Sequence, residues 1–214
     1  MSAEADVVGV LLAGGQSRRM GGGDKGLLPF GRTTLMGYVI ERLRPQVGTV
    51  IINANGDPRR FDRYGLPVVA DRVADFSGPL AGVLAGMVWT RAMRPAARFI
   101  ATAACDTPFF PHNFVSALME AGGRRTDTIV LAASSGQVHP VFGLWPVALA
   151  EDLQGSLEAG VRKVLDWTSR HRTVEHDFKP TTAANDGIDP FFNANTPDEL
   201  REAETMLDRM AAGA

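Results

Sequence analysis

The residues best equipped for chemistry lie in one run, Leu12-Ala13-Gly14-Gly15-Gln16-Ser17-Arg18-Arg19-Met20-Gly21-Gly22-Gly23-Asp24-Lys25. Glycines take positive φ without steric cost and let backbone N–H groups close on an anion. Arg18, Arg19 and Lys25 set three cations in the same frame, which suits a triphosphate. A flexible surface loop would also be rich in glycine, but it gives no reason for these cations directly after an apolar run. The motif G-x-x-x-x-G-K-[ST] is absent, because Asp24 precedes Lys25 and Gly26 follows it. No G-x-G-x-x-G opens a helix here either, so ordinary P-loop and dinucleotide-binding chemistry is disfavoured.

Other candidates are scattered along the chain. Asp106 follows the apolar stretch Phe99–Ala104, and a carboxylate there can hold Mg²⁺ across donor phosphates. It could equally cap the next helix or serve a turn, and the residues alone leave these uses even. Asp71 could ligate a metal, accept from a base or ribose, or make a turn. Asn53 could bond a purine or ribose edge, or form a turn ahead of Asn55-Gly56. The backbone of Leu12, Ala13 and Gly14 can read a base through its N–H and C=O groups. His139 before Pro140 reads as a structural histidine, Cys105 as a small buried residue, and Trp89, Trp145 and Trp167 as core.

Elements that would position these residues follow from periodicity. Val7–Leu12, Val50–Asn53, Val68–Ala70, Phe99–Ala104 and Thr128–Ala133 read as short buried strands, and Val138–Leu144 as a further one. Between them, a helix capped by Thr33 or Thr34 runs to Leu43, a second opens at Gly78-Pro79, and Pro111 suits the first turn of a third. Pro146–Leu153 and Gly160–Trp167 are further helical stretches, Lys179 to Pro190 is a polar loop, and Thr196-Pro197-Asp198-Glu199 is a capping box that starts a last helix. Strand–helix alternation predicts an α/β fold of three layers, a mostly parallel sheet with helices on both faces. Ligands on such sheets bind beyond the carboxyl ends of the strands. Gly14-Gly15, Asn53, Asp71 and Asp106 all fall there.

Composition narrows the partners. A chain of 214 residues with 45% hydrophobic and 21% charged residues suits one domain over 1–214, the N-terminal half binding nucleotide and the C-terminal half an acceptor. A net charge of −2 offers no basic face for nucleic acid. A single cysteine excludes an internal disulfide and fits a reducing compartment. The start of the sequence lacks the basic and apolar regions of a signal peptide, and no run approaches a membrane span, so a cytoplasmic location is expected.

The segment L-A-G-G-x-S-x-R-M-G-x(2)-D-K-G-L-L, Leu12 to Leu28, resembles the signature loop of the molybdenum cofactor guanylyltransferases. The likeness continues through Asn53-Ala54-Asn55, Asp71, Gly78-Pro79-Leu80-Ala81-Gly82, Cys105-Asp106-Thr107-Pro108, His139-Pro140 and Asn193-Ala194-Asn195-Thr196-Pro197. It implies a Rossmann-like nucleotidyltransferase that moves GMP from GTP to molybdenum-loaded molybdopterin and releases pyrophosphate. It further implies Mg²⁺ on Asp106 and catalytic cations at Arg19 and Lys25. Leu12, Ala13, Gly14, Gly15, Lys25, Asn53, Asp71 and Asp106 would contact the nucleotide, and Gly22, Gly82, Asn193 and Asn195 the acceptor. Relatives that build a cytosine form of the cofactor usually show L-A-A-G, so Gly14 favours the larger guanine. A monomer is expected, with molybdoenzyme-maturation proteins as further partners. A cytidylyltransferase, a sugar-phosphate nucleotidyltransferase and a non-catalytic carrier are the alternatives, although sugar-phosphate members carry L-A-G-G-x-G-T-R-L where this chain has Ser17-Arg18-Arg19-Met20. The stretch from Phe178 to Asn193 departs from the family by its length.

Overall fold

The computed structural model describes residues 6–14, 24–71, 78–179 and 187–212. In chain order the strands are β1 (Val7–Leu12), β2 (Pro29–Phe30), β3 (Thr33–Thr34), β4 (Thr49–Asn53), β5 (Val68–Val69), β6 (Phe99–Ala104), β7 (Thr128–Ser134), β8 (Gln137–Pro146) and β9 (Arg172–Asp177). The helices are α1 (Leu35–Leu43), α2 (Pro79–Met93), α3 (Phe114–Ala121), α4 (Ala150–Glu158), α5 (Val164–Thr168) and α6 (Pro197–Ala212).

Seven strands form one sheet in the order β5-β4-β1-β6-β8-β7-β9, and β2 pairs with β3 in a small hairpin. β1 runs parallel to both neighbours, with Leu12 level with Asn53 on one side and Ala104 on the other. Alternation along each strand splits the core. Val7, Leu11, Val50 and Ile52 face one layer with α1 and α3, while Val8, Val10 and Ile51 face the other with α2, α4 and α5. The chain winds outward from β1 through α1 to β4 and β5, then returns over α2 to β6 on the other side of β1. The strand order therefore reverses between β1 and β6, and a ligand crevice belongs at their carboxyl ends.

Helix α2 lies unusually close to the sheet. A methyl group at Gly86 would come within 2.7 Å of Val10, and Gly82, one turn earlier on the same face, has no room for one either. Nine residues of this helix are buried, so its small side chains serve close packing.

Helix α6 covers a third apolar cluster, with Ala203, Leu200, Met206 and Leu207 on Phe30, Leu35 and Phe109. Its capping box forms as expected: Thr196 Oγ1 accepts from the Glu199 N–H at 3.2 Å, and Glu199 Oε2 accepts from the N–H groups of Asn195 and Thr196 at 2.8 and 2.9 Å.

Several elements differ from the sequence reading. β8 is antiparallel to both β6 and β7, reached through a two-residue turn in which Ser135 and Gly136 have φ of 51° and 77°. Its pairing with β7 jumps from Leu131–Gly143 to Ala132–His139, which leaves Pro140, Val141 and Phe142 in a bulge where a missing proline N–H costs no ladder bond. β9, an edge strand of sequence RTVEHD, has too polar a pattern to stand out. Helix α3 starts at Phe114, so Pro111 lies in the turn before it. α4 starts at Ala150, later than Pro146, because β8 extends through Pro146, and α5 starts at Val164 rather than Gly160. Trp145 and Trp167 are core residues, whereas Trp89 is only partly buried. No helix among the described residues is long and apolar enough to cross a membrane.

The start of α1 is held by Thr34, whose Oγ1 accepts from the Gly37 N–H at 3.1 Å and shares a 2.6 Å hydrogen bond with the Tyr64 hydroxyl. Thr34→Ala removes the cap and strands a hydroxyl, and should cost about 1–2 kcal/mol of unfolding free energy. A denaturation series that shows an unchanged midpoint would rule this anchoring out.

Candidate active site

A cleft of about 250 Å³ opens where the strand order reverses. Its walls include Leu12, Ala13 and Gly14 after β1, Asn53 at the end of β4, Asp106 after β6, Asp24 and Lys25 from the glycine-rich segment, Gly78 and Pro79 at the head of α2, and Asn193. Backbone hydrogen bonds lock these ends together: the Ala13 N–H donates to Asn53 O at 2.9 Å, the Cys105 N–H to Leu12 O at 3.3 Å, and the Ala194 N–H to Asp106 O at 2.9 Å.

At the centre, the Lys25 ammonium forms an ion pair with the Asp106 carboxylate. The side chains are only 15% and 9% exposed, so water screens this pair weakly. Lys25 Nζ also donates to Asn195 Oδ1 at 2.7 Å, tying the C-terminal segment to the same point. Gly26 makes the approach possible. It packs on Met36 and Cys105, where a Cβ would sit 3.1 and 3.3 Å from side-chain atoms. Burial, and then the adjacent Asp106 carboxylate, push the Cys105 thiol well above its ordinary pKa, which disfavours the reactive thiolate.

A second network lies on the β4 side. Asn53 Nδ2 donates to Val69 O at 3.1 Å and to Asp71 Oδ1 at 2.9 Å, and Asn55 Nδ2 donates to Asp71 Oδ2 at 2.7 Å. Asn55 and Arg60 carry no role in the sequence reading. Arg60 Nε lies 3.1 Å from Asp24 Oδ2, and its Nη2 donates to Asn55 O. Arg60 thus ties the rim of the β4 side to the lysine segment. Only the pair Asn55-Gly56, written as a turn, hinted at it.

Gly82 requires a correction. It was expected to make room for an acceptor, but a Cβ there would collide with the side chains of Asn53 and Leu12. Its small size lets α2 pass beneath the strand ends and so places Asn53. Gly14, in contrast, has no atom of the described residues within 4 Å of a notional Cβ, and lines the cleft. Gly15, Arg18, Arg19 and Gly22 lie outside the described residues, as do residues 180–186 of the long polar loop.

His139 is held as a structural residue. Its Nε2 shares a 2.7 Å hydrogen bond with Ser134 Oγ, which donates to Asp189 Oδ1 at 2.8 Å, and its ring stacks on Phe191 with centroids 4.5 Å apart. Burial lowers its pKa, opposed by the nearby Asp189 carboxylate.

A doubly wound sheet with cation, carboxylate and amides at its switch point defines a nucleotide-handling α/β protein, and the comparisons sharpen the class. The family model for the MobA-like NTP transferase domain matches residues 9–174. A molybdenum cofactor guanylyltransferase of Mesorhizobium japonicum is 45% identical over 208 residues, covering 97% of this chain and 99% of that protein. One from a Bradyrhizobium species is 48% identical over 94% of this chain and 92% of its own. Among solved structures, molybdopterin-guanine dinucleotide biosynthesis protein A of Archaeoglobus fulgidus superposes with a TM-score of 0.72 at 22% identity, over 94% of this chain and 99% of that one, and supports the fold. The chain belongs to the molybdenum cofactor guanylyltransferases, within the MobA-like NTP transferase family.

The two glycines at the cleft separate packing from ligand space. Gly82→Ala should destabilise the protein by about 1–3 kcal/mol through overpacking, whereas Gly14→Ala should stay within about 0.5 kcal/mol of the parent. Equal unfolding midpoints for the two variants would contradict this division.

Proposed function

We propose that the protein transfers GMP from GTP to the terminal phosphate of molybdenum-loaded molybdopterin, yielding molybdopterin guanine dinucleotide and pyrophosphate. The observation that carries this reading is the Lys25–Asp106 pair at the switch point, set in the cleft that Leu12, Ala13, Gly14 and Asn53 line. Relatives at 43–48% identity are named guanylyltransferases, which disfavours cytidine transfer, a sugar-phosphate acceptor and a carrier role.

The family works with a divalent metal, and the residues fit one. Asp106 is a buried carboxylate already paired with a cation, and Asn193 Oδ1 is a buried oxygen with no hydrogen-bond partner among the described residues. No cluster of three or more His, Cys, Asp or Glu side chains suited to a metal occurs among the described residues. One carboxylate with the rest left to phosphates and water suits Mg²⁺ better than a caged ion. Asp106 would hold it, and when bound it would neutralise charge on the donor phosphates.

In the reaction, an oxygen of the acceptor phosphate forms a bond to the α-phosphorus of GTP while the bond from that phosphorus to the pyrophosphate oxygen breaks. The nucleophile is already an anion, so no side chain need take its proton. The protein's task is to bring two anions together in line. Lys25, with Arg19 and the Gly15 backbone of the same segment, neutralises the triphosphate. The Leu12–Gly14 backbone, Asn53 and Asp71 orient the nucleoside. Asn193 and Asn195 hold the acceptor, joined by Gly22, while Gly82 acts only by placing Asn53. Gly14 leaves space for a purine where an alanine would narrow the cleft.

We further propose one working domain over 1–214, its N-terminal half for the nucleotide and C-terminal half for the acceptor. A monomer is proposed as the working unit. The free thiol of Cys105 fits a reducing cytoplasm, from which product passes to molybdoenzyme-maturation proteins.

Pyrophosphate release measured with molybdenum-loaded molybdopterin and GTP, CTP or ATP in turn should show clear preference for GTP. In the same assay Lys25→Ala should lower turnover by about a hundredfold or more, with thermal melting recorded to confirm folded protein. Preference for CTP would overturn the guanylyl assignment, and undiminished turnover in folded Lys25→Ala would remove this lysine from the mechanism.

A further inference from the structure

Asn55 has no place in the reaction outlined above, yet its side chain is fully engaged. It sits on an exposed turn, followed by Gly56 with φ of 87°, and contributes nothing to the core. Its Nδ2 donates to Asp71 Oδ2 at 2.7 Å, while its Oδ1 accepts from the Asp71 backbone N–H at 2.9 Å. Both ends of one amide are spent on one residue, and the two bonds close a ring. Asp71 needs such a brace, because the strand before it, β5, has only two residues, Val68 and Val69.

The brace propagates. Asn53 has two amide hydrogens, which go to Val69 O and Asp71 Oδ1. Both partners are pure acceptors, so the amide can have only one orientation, with Oδ1 left as its free acceptor. If the Asp71 carboxylate turned away, Asn53 would lose one of the two contacts that forbid a flipped amide. Asn53 would then present a mixture of donor and acceptor where it now presents an acceptor alone.

We propose that Asn55 is a positioning residue for base selection: by clamping Asp71 it fixes the Asn53 amide, so that Asn53 and Asp71 offer only acceptors to the donor nucleotide. The inference rests on the reading that this wall holds the nucleoside of the donor. Guanine presents two adjacent donors, N1–H and the exocyclic N2 amine, to such a wall. Adenine presents an acceptor at N1 and is rejected. Inosine keeps N1–H and lacks the amine, so it should bind between them. Acceptors left unpaired by the wrong base, above all on the buried Asn53, make this kind of discrimination steep.

Equilibrium calorimetry with Mg²⁺ and GTP, ITP or ATP tests the proposal without any acceptor, on wild type, Asn55→Ala, Asn55→Asp, Asp71→Ala and the double variant Asn55→Ala/Asp71→Ala. Asn55→Ala should weaken GTP by about tenfold, the scale of one hydrogen bond to a charged group, and leave ATP nearly unchanged, shrinking the preference. Asn55→Asp keeps a good turn residue but sets a second carboxylate against Asp71, so it should be no better than alanine. In the Asp71→Ala background the Asn55 substitution should have no further effect. A merely structural turn residue would be rescued by aspartate and would leave the GTP-to-ATP ratio unchanged, and either result overturns the proposal. So does an Asn55 effect that persists without Asp71. Wild-type protein that binds GTP and ATP alike would instead sink the functional reading on which the inference stands, a failure visible before any variant is made.

Discussion

Two phosphates repel each other, and a protein that joins them must keep compensating charge at one point without letting water dilute it. In the proposed reaction that point is the buried contact of the Lys25 ammonium with the Asp106 carboxylate. A buried ion pair is a weak source of stability, since desolvation offsets much of the attraction. Its value lies in what it stores. In the proposed reaction Lys25 would face the triphosphate, and Asp106 would hold a metal ion that supplies further positive charge there. Asn195, bonded to the same lysine, brings the C-terminal segment to that spot.

The rest of the structure can be understood as support for that contact. Reversal of strand order between β1 and β6 sets Leu12 beside Ala104, and Asp106 follows two residues later. Gly26 lets the lysine segment close on Met36 and Cys105, and the capping box of α6 fixes the backbone of Asn195. Gly82 and Gly86 allow α2 to pass beneath the ends of β1 and β4, so Asn53 stands where its amide can be used. The Ser134–Asp189 hydrogen bond and the stack of His139 on Phe191 anchor the chain just before Asn193.

Much of this was legible in the residues, and the exceptions have physical reasons. Buried parallel strands are continuous apolar runs, so β1, β4 and β6 stood out, and with them the positions of Asn53 and Asp106. Thr34 and Thr196 announced helix starts through capping chemistry. β9 did not show, because an edge strand half open to water carries no apolar run. The antiparallel insertion of β8 between β6 and β7 was equally hidden, since a strand's pattern records its burial and not its direction. The glycine-rich segment indicated anion binding, but a packing glycine such as Gly82 and a cleft-facing one such as Gly14 look the same until neighbours are known. Asn55 was read as part of a turn and of the Asn53-Ala54-Asn55 likeness but given no role, because its partner Asp71 is brought to it by the pairing of β4 with β5.

The account depends most on Asp106 meeting the metal that accompanies GTP. The direct measurement is GTP affinity as a function of Mg²⁺ concentration, for wild-type protein and for Asp106→Asn, which keeps the shape and removes the charge. Affinity in the wild type should climb with Mg²⁺, and in Asp106→Asn it should respond little. A variant that retains the full Mg²⁺ dependence would contradict the assignment and leave the buried pair without its proposed purpose.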